Sequence, residues 1–169
     1  AMLDRPAEAK SMVDRLRLAL VLLIALAQGA LYLCLLPPWQ HYDEPTHFEY
    51  AWLLANRPGL PQPGDEDQTM RRDLAAAMAQ HHFYWNLNPP TLLTNRGRIE
   101  VGVTELTHPP AYYLLVSLPL RLVRHLDLVS QLYVARAVSL LLFLAPIAIA
   151  AALVRELTRP GPDLRWAVP

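Results

Sequence analysis

The chain opens with a long apolar stretch whose limits are set by its charges. No charged residue lies between Arg17 and Asp43, and the stretch LALVLLIALAQGALYLCLL could cross a hydrocarbon core of about 30 Å as a helix. A cleaved signal peptide is the competing interpretation, because basic residues precede the run. The run is too long for a signal peptide, so we predict a transmembrane helix over residues 18–38.

Two further apolar segments follow near the end of the chain. Residues 137–154 carry no charge and are again of spanning length, which predicts a transmembrane helix over 131–154. The segment HPPAYYLLVSLPLRLVRHL between the two long runs is shorter and contains Pro119 and Arg121. It crosses at 108–124 if its arginine side chains snorkel to the far interface.

These three spans define a topology. The basic segment 1–17 is expected in the cytoplasm, and residues 39–107 then form an outer loop. Arg121, Arg124 and His125 return to the inside, in line with the positive-inside bias, whereas the arginines of 155–169 fit that bias less well. We interpret 155–169 as a connector that leads to further spans.

The outer loop holds two stretches with apolar residues at helical spacing. The first stripe consists of Phe48, Ala51, Trp52 and Ala55. The second consists of Met70, Leu74, Ala77 and Met78, opposite Asp67, Arg71 and Arg72. Tyrosine and tryptophan are enriched at membrane–water boundaries, and the loop carries Tyr42, Trp52, Tyr84 and Trp85 among its aromatic residues. We therefore expect helices that lie on the outer membrane face, with RIEVGVTEL as a short strand and NLNPPTLLTNRG as a loop.

The predicted fold class is an all-α integral membrane protein with about three transmembrane helices and interfacial amphipathic helices. Fifteen basic residues balance fifteen acidic ones, which gives no electrostatic case for a nucleic-acid partner. The single cysteine, Cys34, excludes an internal disulfide and a cysteine-based metal cluster.

Asp43 and Glu44 stand where the first span would leave the membrane. A structural account is that Glu44 caps a helix with Pro45 at its first position. A functional account is that an acid held at the membrane face beside a second acid serves as a general base. Such a base would act on a substrate that is also held at the surface, such as a lipid-linked donor.

Histidines are concentrated in and near the same loop. Asp43 and His47 lie one helical turn apart, a spacing that suits a divalent metal, but no third ligand is fixed by the spacing. His108 precedes two prolines that suit a helix entrance, and the positive end of a helix attracts phosphate. An interfacial histidine and an incidental histidine, respectively, are the structural alternatives.

The order of these features resembles the N-terminal part of bacterial multispan glycosyltransferases with the GT-C fold. The resemblance rests on YDEPTHFEY after the first span, HPPAYY at the second and ARAVSLLLF at the third, and it covers nearly the whole chain. This group includes protein O-mannosyltransferases and the aminoarabinose transferases that act on lipid A. Its motifs are short, so their specificity comes from their order.

The resemblance implies transfer of a sugar from a polyprenyl-phosphate carrier to an acceptor on the outer side, with inversion at the anomeric carbon. Asp43 corresponds to the catalytic acid that draws the proton from the acceptor hydroxyl, and Glu44 orients the acceptor or the base. His108 takes the place of a basic residue near the donor phosphate. His47 and Glu105 are further candidates to hold the acceptor or a metal, and metal dependence stays open.

Arg136 is expected to pair or to snorkel at the cytoplasmic end of the third span. The expected location is the inner cell membrane, with several passes and a cytoplasmic N-terminus. The expected partners are the bilayer, the lipid-linked sugar, and other membrane subunits or later spans of the same protein. The alternative function is a non-catalytic membrane scaffold that keeps the fold of such enzymes inside a larger complex.

Overall fold

The structure is a computed structural model that describes residues 5–85 and 98–157. Within these ranges the chain forms five α-helices and no strand, which confirms the all-α prediction for the described part. The helices are α1 (Arg5–Leu35), α2 (Glu44–Asn56), α3 (Gln68–Gln80), α4 (Ala111–Leu122) and α5 (Leu128–Leu157). The strand predicted at 98–106 is wrong, and the loop predicted at 86–97 lies outside the described residues.

In the described part of the chain, two helices are long and apolar enough to cross a membrane, by length and composition. They are the stretch Met12–Leu35 of α1 and the whole of α5, and they overlap the spans predicted at 18–38 and 131–154. The segment predicted to span at 108–124 forms only the 12-residue α4. At 1.5 Å per residue α4 is about 18 Å long, well short of a hydrocarbon core. A third span is therefore not shown.

The chain divides into two compact units. One consists of residues 1–31 and 140–169, and the other of residues 32–139. In the first unit Gly29 faces Leu140 so closely that a Cβ at position 29 would overlap the leucine side chain. A side chain at position 29 would therefore force the Leu140 side chain to move.

In the second unit, α2 and α4 pack side by side and run parallel. At their N-terminal ends His47 contacts Tyr113, and at their C-terminal ends Arg121 donates to the carbonyl oxygen of Leu54 at 3.1 Å. Arg124 donates likewise to the carbonyl of Ala55. The last carbonyls of a helix have no partner within it, and these two arginines satisfy them.

Most of α2 is buried inside this unit. Its buried residues are Pro45, Thr46, Phe48, Glu49, Tyr50, Ala51, Leu53, Leu54 and Ala55. Phe48, Ala51 and Ala55 of the predicted apolar stripe are thus part of a core, whereas Trp52 is partly exposed. The reason for this burial is that α4 packs along α2 and that Gly102 lies against the side chain of Thr46.

Helix α3 is amphipathic as predicted, with Met70, Leu74 and Met78 buried. Arg71 was expected on the polar face, but it is only 3% exposed and forms an ion pair with Glu49, which is 1% exposed. Arg71 Nε lies 2.6 Å from Glu49 Oε1, Nη2 lies 2.8 Å from Oε2, and Nη1 donates to the carbonyl of Ile99 at 3.2 Å. This guanidinium joins α2, α3 and the segment before α4.

Candidate active site at the N-terminal end of α2

Asp43 is the N-cap of α2, so the prediction that Glu44 caps this helix is wrong. Glu44 and Pro45 are the first helical residues, and the carbonyl of Asp43 accepts the N–H of His47 at 3.1 Å. The Asp43 side chain is exposed and makes no capping hydrogen bond. Its carboxylate therefore stays open to solvent at the helix end.

Both carboxylate oxygens of Glu44 are occupied. Arg136 Nε lies 2.6 Å from Oε1 and Arg136 Nη2 lies 2.8 Å from Oε2. The backbone N–H of Trp39 donates to Oε2 at 2.9 Å. Two adjacent acids thus have opposite surroundings, since Glu44 is held by a cation and Asp43 has no ion pair with any residue that the structure describes.

Arg136 lies at the Glu44 end of α2, whereas the sequence predicted the opposite, cytoplasmic end of a span. It also donates to the carbonyl of Leu36 at 2.7 Å and to that of Pro37 at 3.0 Å. Leu36 directly follows α1, where carbonyls have no helical partner. Three acceptor groups therefore converge on one guanidinium. Its five N–H donors lie in one plane, so a single side chain can bind all three groups at once.

Trp39 completes this corner. Its side chain is fully buried and packs edge to face on Phe48, with ring centroids 5.3 Å apart. Its φ of 66° is in the left-handed region, which costs a residue with a side chain about 1–2 kcal/mol. The hydrogen bond from the backbone N–H of Trp39 to Glu44 and the burial of the Trp39 ring offset that cost.

His47 and two tyrosines form a stacked group one turn into α2. His47 Nδ1 lies 2.7 Å from Tyr113 Oη, and the rings of Tyr50 and Tyr113 stack at 4.0 Å. Burial, with a smaller contribution from the Glu105 carboxylate, raises the pKa of Tyr113 to about 12. Its hydroxyl is therefore neutral and can donate to the imidazole.

His108 lies on the other side of this group. Its Nδ1 is 2.5 Å from Glu105 Oε2, its side chain is 54% exposed, and its ring is 6.3 Å from that of His47. The hydroxyl of Tyr50 donates to its carbonyl at 3.4 Å. The structure thus brings together His47, Glu105 and His108, all of them predicted site residues, beside the helix end that carries Asp43.

No metal centre is built from the described residues. Within 5–85 and 98–157, no three histidine, cysteine or carboxylate side chains converge as ligands. Asp43 and His47 lie one turn apart as expected, but Nδ1 of His47 faces Tyr113. The predicted pair therefore has no third partner among the residues that the structure describes.

Sequence reasoning missed Tyr50 and Tyr113 and placed Arg136 wrongly. Tyr113 is the second tyrosine of HPPAYY, and its position one turn into a helix after two prolines is the signal that could have indicated it. Arg136 is the last charge before a long apolar run and was expected to pair or to snorkel at the cytoplasmic end of a span. It does form a pair, but with Glu44, which was expected on the outer side.

Comparison with known proteins gives no relative: no family model, no curated protein and no solved structure matches the chain. The geometry of the site therefore carries the functional argument.

Proposed function

We propose that this chain is the N-terminal portion of a membrane glycosyltransferase. It moves a sugar from a polyprenyl-phosphate carrier to an acceptor on the outer membrane face, and Asp43 is the general base. The observation that carries the proposal is the contrast between the open Asp43 carboxylate and the bound Glu44 carboxylate. A general base must reach the proton that it removes, and only Asp43 of this pair is free to do so.

Glu44 has a positioning role in this proposal. With both oxygens bound by Arg136 and Trp39, it is not available to an acceptor hydroxyl. The same bonds fix the first turn of α2, of which Asp43 is the cap. Of the two roles that the family resemblance implies for Glu44, orientation of the base is the one that these contacts favour.

His108 is the group we assign to the donor phosphate. His108 donates Nδ1–H to Glu105, and its imidazole is more than half exposed. When the ring is doubly protonated, Nε2–H is a second donor, and this imidazolium form is the one that can bind a phosphate oxygen. His108 also precedes α4, whose first N–H groups have no partner within the helix and attract anions. A phosphate leaving group could be stabilised there as its charge develops.

The membrane arrangement in this proposal uses two spans instead of three. α1 and α5 each cross the inner membrane once, with the N-terminus in the cytoplasm, and residues between them face the outer side. Asp43 and His108 then lie on the side where lipid-linked sugars are presented. The bilayer and the lipid-linked sugar are the partners, and later spans of the same protein or other subunits complete the donor pocket.

The test is a transfer assay on the natural full-length protein in lipid vesicles. Polyprenyl-phosphate donors that carry different labelled sugars are supplied with an acceptor extract, and label that leaves the lipid fraction is measured. Transfer by the parent protein, its loss in Asp43→Asn and its retention in Asp73→Asn are the expected results. Asp73 is a matched control because it is an exposed acid on α3.

The scaffold alternative gives a different set of results. A scaffold would transfer no sugar from any donor, and Asp43→Ala would weaken a complex with neighbouring membrane subunits. Retained turnover in Asp43→Asn would contradict the assignment of the base, even if the chain is an enzyme.

A further inference from the structure

Helix α4 is apolar on two opposite faces. One face packs in the core of the second unit and consists of Tyr113, Val116, Ser117 and Leu120. The other face is exposed in the described part of the chain and consists of Leu114 (40%), Leu115 (49%), Leu118 (56%) and Leu122 (78%). A helix that is apolar all round is typical of a protein core or a lipid environment, not of a water-exposed surface.

Helix α3, in the same unit, shows that exposed apolar stripes are not general there. The exposed residues of α3 are Thr69, Arg72, Asp73, Ala76, Ala79 and Gln80. Four leucines along one face of α4 therefore form a patch of the kind that marks an interaction site.

The charges around this patch favour a lipid surface. Residues 111–122 contain no acid, and the C-terminal end of this face carries Arg121, Arg124 and His125 with exposed side chains. The next acid, Asp127, accepts hydrogen bonds from the first N–H groups of α5. Arg121 and Arg124 each use one Nη2 to bind a carbonyl of α2, and their guanidinium groups carry further donors. Leucines bordered by cations complement acyl chains bordered by phosphates.

We propose that the Leu114–Leu118–Leu122 face of α4 is embedded in the boundary between headgroups and acyl chains of an anionic bilayer. The helix, about 18 Å long, is too short to cross but long enough to lie in that boundary. Only residues 123–127 separate it from α5, a candidate span, so the chain reaches the bilayer directly after α4. The inference goes beyond sugar transfer and stands or falls independently of it.

Spin labels on single cysteines test this placement in the full chain. Cys34→Ser removes the native thiol, and labelled cysteines then replace Leu115 or Leu118 on α4 and Ala76 or Ala79 on α3. The protein is reconstituted in vesicles of phosphatidylethanolamine and phosphatidylglycerol. Collision with oxygen, which concentrates in lipid, is compared with collision with a water-soluble nickel complex.

We expect oxygen to collide more often than the nickel complex with labels at 115 and 118, and the reverse order at 76 and 79. A nickel preference at 115 and 118 would overturn the proposal, because the face would then be in water. Low collision rates with both reagents would also overturn it, because protein would then cover the face. Thermal unfolding checks that each labelled variant is folded. If the variant labelled at 115 or 118 does not fold, a variant labelled at position 114, in place of Leu114, is used instead.

Discussion

The guanidinium of Arg136 and the carboxylate of Glu44 form a two-point ion pair across 92 positions of the sequence, with Nε 2.6 Å from Oε1 and Nη2 2.8 Å from Oε2. The pair joins the first part of α5 to the first turn of α2. Because Arg136 also binds the carbonyls of Leu36 and Pro37, one side chain holds the corner from which Asp43 meets solvent.

Arg136→Ala should destabilise the protein by about 2–4 kcal/mol, because it leaves the mostly buried Glu44 carboxylate without its cation. Arg136→Lys should lose less, since the charge remains and only the two-point geometry is lost. Thermal unfolding in detergent measures both. Arg57→Ala is the control, because Arg57 is 43% exposed in its pair with Asp67 and such pairs contribute about 1 kcal/mol or less. Equal losses in Arg136→Ala and Arg57→Ala would contradict this account.

The buried pair of Glu49 and Arg71 should show a strong dependence between its two members. Arg71→Met leaves an unpaired carboxylate in the core and should cost about 3–5 kcal/mol. The double variant Glu49→Leu with Arg71→Met removes both charges and should recover most of that loss. A double variant that is no more stable than Arg71→Met alone would show that the carboxylate is not buried as the structure has it.

Asp67 should make the free energy of unfolding fall as the solution becomes acidic. Its Oδ1 accepts the N–H groups of Met70 and Thr69, and these bonds, the Met70 bond first, lower its pKa below the ordinary value. A lowered folded pKa means that the stabilisation is present above the unfolded pKa and is lost as pH falls through the folded pKa. The window therefore lies below about pH 4.

Asp67→Asn keeps the capping oxygen but does not titrate, so it is the matched variant for this effect. At neutral pH the parent should be more stable than Asp67→Asn by about 0.5–1 kcal/mol. The charged carboxylate interacts favourably with the N-terminal end of the helix dipole and with Arg57, whereas the neutral amide of asparagine carries no charge. Melting temperatures measured from neutral pH downward should converge in acid. A constant difference across the whole range would contradict the lowered pKa.

Tyr113→Phe should remove the hydrogen bond to His47 while the ring stack with Tyr50 stays. The expected loss is about 1 kcal/mol, as for one partly buried hydrogen bond. The ¹⁵N chemical shift of His47 Nδ1 should change at the same time. Tyr112→Phe is the control, because its hydroxyl binds Ser139 and should leave the His47 signal where it is.

The sequence predicted those features of the fold that depend on local pattern. α1 and α5 follow from uninterrupted apolar runs, and the buried face of α3 follows from Met70, Leu74 and Met78 at helical spacing. α4 was predicted too long because Arg121 and Arg124 were interpreted as snorkelling side chains. In the fold they bind the last carbonyls of α2, which no pattern within residues 108–124 could indicate.

The helical spacing of Asp43 and His47 was predicted from sequence, because the two residues are four apart. Glu105 and His108 were each named as candidates, but their ion pair, formed across three residues, was not predicted. The positions of Arg71 and Arg136 were predicted wrongly because their acidic partners are distant in sequence. Arg71 pairs with Glu49, 22 positions away, and Arg136 pairs with Glu44, 92 positions away. Without such a partner a charged residue is usually exposed. The role of the site in sugar transfer stays a proposal.

The measurement that tests the central claim most directly is the transfer rate of Asp43→Asn at saturating donor, recorded together with its affinity for the donor. Loss of a general base should lower the rate by about 10²–10⁴-fold and leave donor affinity unchanged, because the donor phosphate is assigned to His108 and not to Asp43. A rate equal to that of Asp73→Asn would contradict the role of Asp43 as the base.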